Sequence, residues 1–272
     1  MRWDAHTHST FSDGRSTPRE MARQALRLGL DTLGFSDHAY APDDAGWCTP
    51  PERMEAYRRE IRALSAEYAG QIRLLLGVEA DLAAPVVPGE YDYVIAASHY
   101  VEKDGLRFSA DESEPAMVGA VETAFSGDYA AWARGYFQSV AKLSDLPKVD
   151  VVAHIDLAAK YNEGGRWFDE ADPAYLRAAE DAIDAFSGRG VVFEMNSGAV
   201  SRGYRKTPYP GREILRILRR RGARITFSSD AHDAEFLTFK FDQMAQIARE
   251  CGFKVAYAPG HTGQFDREIP IK

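Results

Sequence analysis

MRWDAHTHSTFSDG, residues 1–14, is the stretch on which the architecture turns. A short β-rich run over 2–5 ends on His6 and His8. Two residues apart on an extended backbone, these imidazoles project from one face and can grip one ion. The arrangement then recurs. Further strand-like runs are expected over 32–36, 73–78, 93–97, 149–153, 191–195 and 224–228. His38, Glu79, His99, His154 and the pair Asp230/His232 follow five of them, and Glu194 lies near the end of the sixth. Amphipathic stretches alternate with these runs, which is the pattern of βα units around a parallel sheet. With no second-sheet pattern, an α/β fold closed into a barrel is predicted. In a barrel the ends of successive strands meet at one mouth, where such folds build their sites.

Two helix starts are legible: Thr17-Pro18-Arg19-Glu20 and Thr49-Pro50-Pro51-Glu52 each offer an N-cap hydroxyl, a proline and a glutamate three residues on. Gly29 and Gly70 are the expected stops, and Asp172-Pro173 is expected to open a helix running to about residue 187. A last helix is expected over 240–251, followed by a short strand at 254–256. One unit spanning 1–272 is predicted, with a long insertion at 101–148 between the fourth and fifth strands. That insertion reads as an acidic loop (102–114) and then one or two helices whose Tyr129, Trp132, Tyr136 and Phe137 pack on the barrel.

Composition bounds the function. The chain has 272 residues, 45% hydrophobic and 27% charged, an ordinary soluble profile. A formal net charge of −8 argues against nucleic acid or a membrane surface as partner, but permits a small phosphorylated substrate met by local cations. Cys48 and Cys251 form no CxxC pair, and no secretory leader or bilayer-length apolar run is read, so a cytoplasmic protein is expected. Oligomeric state is not legible.

A lone histidine at a strand end is ordinarily a hydrogen-bonded polar residue. Six at successive strand ends, with Glu79 and Asp230 beside them, have no comparable packing explanation, because burying so many imidazoles and carboxylates without counter-charge is costly. Asp13, a short loop beyond His8, can return to the same rim. Nitrogen and oxygen donors without thiolates suit zinc, iron or manganese, and they are too many for one tetrahedral ion; two or three divalent ions are expected. Glu194 remains open between ligand, partner of a ligand and plain barrel residue. His261, in a C-terminal loop near glycine and proline, is not a candidate.

HTHSTFSDG (6–14), GFSDHA (34–39), GVEAD (77–81), ASHY (97–100), VVAHIDL (151–157) and FSSDAH (227–232) together resemble the motifs of the PHP (polymerase and histidinol phosphatase) superfamily. The resemblance implies a distorted (β/α)7 TIM-like barrel with a trinuclear centre. It implies one ion on His6, His8, Glu79 and Asp230, a second sharing Glu79 and taking His99 and His154, and a third on Asp13, His38 and His232. Phosphate-ester hydrolysis is then expected from a metal-bridging hydroxide, without a covalent phosphoenzyme, with Glu79, Asp230 and His232 as catalytic residues. Softer matches (HIDL…KYN, the loop ending PYP, and CGF at 251–253) imply L-histidinol phosphate as substrate, in histidine biosynthesis. Another small phosphomonoester or an oligonucleotide end is the alternative; a metal-storage protein without hydrolysis is a third reading.

Phosphate recognition is expected from Arg202 and Arg205 in NSGAVSRGYRKTPYP (196–210), and from Lys160 at similar depth after the fifth strand. Lys206 is a weaker candidate. The run Arg219-Arg220-Arg221 reads as helix-terminal charge complementing the dipole. The acidic stretch Glu102, Asp104, Asp111, Glu112 and Glu114 is a candidate source of a carboxylate for the substrate's ammonium group.

Overall fold

The computed structural model describes residues 1–42, 46–84, 86–87 and 89–272. Strands β1 (Trp3–Asp4), β2 (Thr32–Phe35), β3 (Arg73–Ala80), β4 (Tyr93–Ala96), β7 (Val151–Val152), β8 (Val192–Asn196) and β9 (Arg224–Ser228) form one sheet. Its order is β1-β2-β3-β4-β7-β8-β9, and every pairing is parallel. The sheet curls into a nearly closed barrel. Its seam is fastened by a parallel bridge between Thr7 and Ala231, by the His8 N–H donating to the Ala231 carbonyl (2.9 Å), and by the Trp3 indole N–H donating to Thr226 (3.2 Å). Buried Asp4 adds two bonds, accepting the backbone N–H groups of Ser229 (3.1 Å) and Thr238 (2.9 Å).

The helices α1 (Pro18–Arg27), α2 (Pro51–Glu67), α5 (Pro173–Asp184), α7 (Arg212–Arg220) and α8 (Phe241–Glu250) lie among the strands in chain order. Thr17 and Glu20 form the expected capping box of α1. Thr49 does not cap α2: Pro50 takes the cap position, while buried Thr49 uses its N–H on the His38 carbonyl (3.1 Å). Its hydroxyl is buried without a hydrogen-bond partner among the described residues, so that backbone bond is what ties the helix entry to the loop after β2. α5 ends at Asp184, one turn before the expected stop.

The insertion departs most from expectation. Residues expected as an acidic loop form an antiparallel hairpin, β5 (Tyr100–Lys103) and β6 (Leu106–Ser109). Its turn is Asp104-Gly105, both at positive φ (51° and 79°), the conformation that two-residue hairpin turns require. Then come α3 (Glu114–Ala124) and α4 (Tyr129–Lys142), and Trp132, Tyr136 and Phe137 of α4 are fully buried, as expected. Tyr129 is instead half-buried and stacks on Trp167, with centroids 4.6 Å apart. A short α6 (Gly198–Ser201) follows β8, and a C-terminal hairpin, β10 (Val255–Ala258) with β11 (Arg267–Pro270), completes the chain.

The barrel lumen is filled by a buried cluster that includes Ala5, Leu75, Tyr93, Ile95, Val151, Val192 and Phe265. Tyr93 spans it, its hydroxyl donating to the Ala5 carbonyl (2.6 Å), and its ring leaves no room for side chains on two facing strands. A Cβ on Gly77 would lie 2.2 Å from Cζ of Tyr93, and one on Gly34 would lie 2.2 Å from its hydroxyl oxygen. The space above this plug is thereby reserved for the strand ends. Gly77→Ala is expected to lower the unfolding free energy by about 1–3 kcal/mol through overpacking, read from urea titration. A midpoint and slope equal to the parent's would contradict this packing.

Candidate active site

At the mouth, Glu79 reaches from the end of β3 into a ring of imidazoles. His6 Nε2 and His8 Nε2 each lie 3.4 Å from Glu79 Oε2, and His38 Nδ1 lies 2.8 Å from the same oxygen. His99 Nε2 and His154 Nε2 lie 3.6 and 3.3 Å from Oε1. Asp230 Oδ1 is 3.2 Å from His8 Nε2 and 3.8 Å from His6 Nε2. Asp13, on the exposed rim, sets Oδ2 3.2 Å from His232 Nε2 and Oδ1 3.6 Å from His38 Nε2. The nine strand-end and loop residues singled out in the sequence thus converge. Among the described residues, four overlapping groups have donor atoms close enough to share an ion: His8/Asp13/His38/His232, His6/Glu79/His154, His6/His8/Asp230 and His38/Glu79/His99.

Buried carboxylates and imidazoles set one another's titration across the site. Burial opposes charge on every group here, yet His38 and His6 hold Glu79 well below the usual carboxylate range. Against burial, Arg202 and His6 do the same for Asp230, and His38 with His232 for Asp13. The imidazoles split. Burial, reinforced by His232 and His38, depresses His8 to about 3, and burial also lowers His99. His38 overcomes burial through Glu79 and Asp13 and rises to about 9, and Glu194 and Glu79 lift His6 well above its ordinary value.

Do the residues fit a metal? His6 Nε2, both ring nitrogens of His8 and Glu79 Oε2 are buried and have no hydrogen-bond partner. His6 Nε2 and His8 Nε2 converge on Glu79 Oε2, where one ion would satisfy the three together, while His8 Nδ1 faces Asp13 (3.9 Å from Oδ1). Imidazole and carboxylate donors without sulfur suit a divalent ion of borderline or hard character. The donor set fits.

Three supports lie behind this ring. Buried Glu194 accepts at Oε1 from the His6 side (Nδ1 at 2.7 Å) and at Oε2 from the His154 backbone N–H (3.1 Å) and the Asn196 amide (2.8 Å). It therefore fixes which nitrogen of His6 faces the centre. Asp37, fully buried, receives the N–H and hydroxyl of Ser9 (2.8 and 2.9 Å) and of Ser12 (3.0 and 2.6 Å). Those four bonds shape the loop that returns Asp13 to the rim. Asp230 itself sits at φ 54°, a left-handed conformation uncommon for a non-glycine residue. Gly198 presses against it: a Cβ there would lie 2.6 Å from both Asp230 Oδ2 and the Arg202 guanidinium.

The mouth opens into a cavity of about 930 Å³. Arg202 lines it, donating to Asp230 Oδ2 (3.0 Å) and to His232 Nδ1 (3.1 Å). Lys160 lines it too, buried and ion-paired with Asp111, its ammonium 4.5 Å from the Tyr204 ring centroid. Burial works against the Asp111 charge, but Lys160 and His99 hold its pKa at about 2.

Arg205 is not on this wall. Its guanidinium is taken by Glu170 (3.0 and 3.1 Å) and the Ala159 carbonyl (2.6 Å), and it lines a separate cavity of about 450 Å³. A carboxylate that matches the arginine fork outcompetes an open cavity, so Arg205 braces the turn before Lys160. Lys206 is exposed. Of the acidic stretch, Asp111 and Glu112 reach the cavity; Glu102 pairs with Lys142, Glu114 with Arg166, and Asp104 stands exposed at the hairpin tip. Trp47, unremarked in the sequence, completes the wall edge-on to His38 with centroids 4.5 Å apart.

The sequence model of the PHP domain family matches residues 4–198. A protein of Deinococcus radiodurans named "probable histidinol-phosphatase" is 30% identical over 267 residues, covering 92% of this chain and 93% of its own. The histidinol-phosphatase of Bacillus subtilis is 24% identical, covering 88% of this chain and 96% of its own. The structure of a histidinol phosphate phosphatase from Lactococcus lactis, complexed with zinc, L-histidinol and phosphate, superposes with a TM-score of 0.68. It is 21% identical and covers 98% of this chain and 99% of its own.

Asp37→Ala strands two backbone N–H donors and two hydroxyls. A stability loss of about 2–4 kcal/mol in denaturant titration is expected from bonds to a charged acceptor. A loss under ~0.5 kcal/mol would mean the 9–14 loop holds its shape without them.

Proposed function

The chain belongs to the PHP domain family, and we propose that it is a metal-dependent phosphomonoesterase that hydrolyses L-histidinol phosphate to L-histidinol and phosphate. The observation that carries this reading is the ring of five imidazoles around buried Glu79, with unpartnered donor atoms facing one centre below a cation-lined cavity. Two full-length relatives named for this activity support the choice of substrate, and so does the fold shared with the Lactococcus lactis enzyme. The reaction is a step of histidine biosynthesis, which we assign to the cytoplasm; no helix among the described residues is long and apolar enough to cross a membrane.

His6, His8, Asp13, His38, Glu79, His99, His154, Asp230 and His232 would hold two or three divalent ions, with zinc, iron and manganese all compatible with the donor set. When bound, such ions make water acidic enough to attack phosphorus near neutral pH and neutralise charge on the phosphoryl oxygens.

The chain's own groups supply the rest. Arg202, its fork held by Asp230 and His232, sets a fixed positive charge on the cavity wall for phosphoryl oxygens. Lys160 adds a point charge at the same depth. In the reaction the bond from phosphorus to the substrate's ester oxygen breaks, a bond to the water oxygen forms, and the departing oxygen gains a proton. His232 and Asp230, on the wall beside Arg202, are the groups that meet that oxygen. Asp111 and Glu112, across the cavity, offer carboxylates to the substrate's ammonium, and Trp47 offers an aromatic edge to its imidazole.

Phosphate release from L-histidinol phosphate is expected to exceed that from nucleoside monophosphates, sugar phosphates and a phosphorylated oligonucleotide by at least roughly tenfold in kcat/KM. Glu79→Gln should reduce it by a factor of about 100 or more. Faster release from another member of the panel would reassign the substrate. Full activity of Glu79→Gln would remove that residue from the centre. Glu194→Gln, which trades an acceptor oxygen for a donor behind His6, should weaken zinc binding about 10–100-fold in competition with a fluorescent chelator. Unchanged affinity would show that Glu194 only fills the barrel.

A further inference from the structure

The opposite end of the barrel holds a second charged concavity, about 540 Å³, where β1, β2, β3 and β11 begin. Arg2, Arg73 and Arg267 line it, together with Gln71, His261 and a single carboxylate, Asp31. Three guanidiniums here share one acid, whereas several arginines elsewhere each hold a carboxylate of their own, as in Arg19–Glu67, Arg62–Asp92, Arg205–Glu170 and Arg221 with Glu180 and Asp184.

The one acid is already engaged. Asp31 takes the Arg267 guanidinium at Oδ2 (3.3 Å) and the Thr32 hydroxyl at Oδ1 (2.9 Å). Arg73 spends Nη2 on Thr32 (2.6 Å) and on the Pro259 carbonyl (2.9 Å), while its Nε is buried without a partner. Arg2 donates Nε to the Gly29 carbonyl (3.2 Å) and leaves its outer nitrogens in solvent. Among the described residues, no carboxylate lies within ion-pair distance of Arg2 or Arg73. Burial, and then the neighbouring Arg267, push the Arg73 pKa down against the attraction of Asp31 and Asp266. The next acid along, Asp266, is turned against Gly260.

We propose that this concavity is a binding site for a small oxyanion carrying two or more negative charges, of phosphate or dicarboxylate chemistry. The guanidinium N–H groups left over on the three arginines match the oxygens of such a group, and three positive charges against one acid supply the attraction. The anion would tie the starts of β1, β2 and β3 to the C-terminal hairpin. It would therefore stabilise the barrel floor without touching the mouth, since it binds folded protein only.

The full chain is titrated calorimetrically at low ionic strength with inorganic phosphate and, separately, with succinate. Three forms are compared: the parent, Arg2→Gln/Arg267→Gln, and Asp31→Asn. The double substitution is expected to weaken one class of sites at least tenfold and to abolish the accompanying rise in Tm. Asp31→Asn, which removes the competing acid, should tighten the same class at least threefold. Turnover of L-histidinol phosphate should change less than twofold in both variants. Because phosphate also enters the mouth as product, only the variant-sensitive class counts, and whichever anion fills it more tightly identifies the chemistry. If both variants bind phosphate and succinate as the parent does, the floor is not an anion site and the proposal is overturned. Opposite shifts in the two variants cannot arise from a general loss of folding.

Discussion

Glu79 carries a negative charge into a place with almost no access to water, and five imidazoles are arranged to receive it. A carboxylate at that depth is affordable only with compensating positive charge held close. The carboxylate raises the pKa of His38, His6 and His154, while burial lowers that of His8 and His99. A divalent cation meets the same requirement more completely, because it satisfies several orphaned donors at once and displaces the protons that the imidazoles would otherwise hold.

Much of the surrounding structure serves that arrangement. The parallel barrel brings seven strand ends to one rim, and the Tyr93 plug with its facing glycines sets the depth of the floor beneath them. Glu194 orients His6 and also holds the backbone that presents His154, so one acid aligns imidazoles from two strands. Asp37 anchors the loop of Asp13, and Gly198 gives way so that Arg202 can lie against Asp230. Each of these contacts joins segments far apart in the chain. The centre is therefore a property of the closed barrel and not of any one motif.

That distinction explains what was legible beforehand. His6, His8, His38, His99, His154 and His232 could be read because they are positioned by strand ends, and strand ends are marked locally by β-rich runs. The capping box of Thr17 and Glu20 was legible for the same reason, since donor and acceptor lie within one turn. Thr49 misled because the following Pro50-Pro51 pair permits two registers, and the bond from its N–H to His38 chose the later one. The β5–β6 hairpin was hidden under its acidity, although Asp104-Gly105 was a turn signal that could have revealed it. Arg205 was misplaced because its partner Glu170 lies 35 residues earlier, in a segment with no pattern pointing to it. Asp37 sat inside a quoted motif, yet its role became visible only with the loop folded onto it. Local chemistry survives projection onto sequence; pairing between distant loops does not.

Anomalous X-ray scattering from crystals grown with zinc tests the central claim most directly. Two or three strong peaks among the side chains of His6, His8, Asp13, His38, Glu79, His99, His154, Asp230 and His232 are the predicted result, with one peak beside Glu79. A zinc-saturated crystal with no peak at the barrel mouth, or with peaks only at surface carboxylates, would contradict the account.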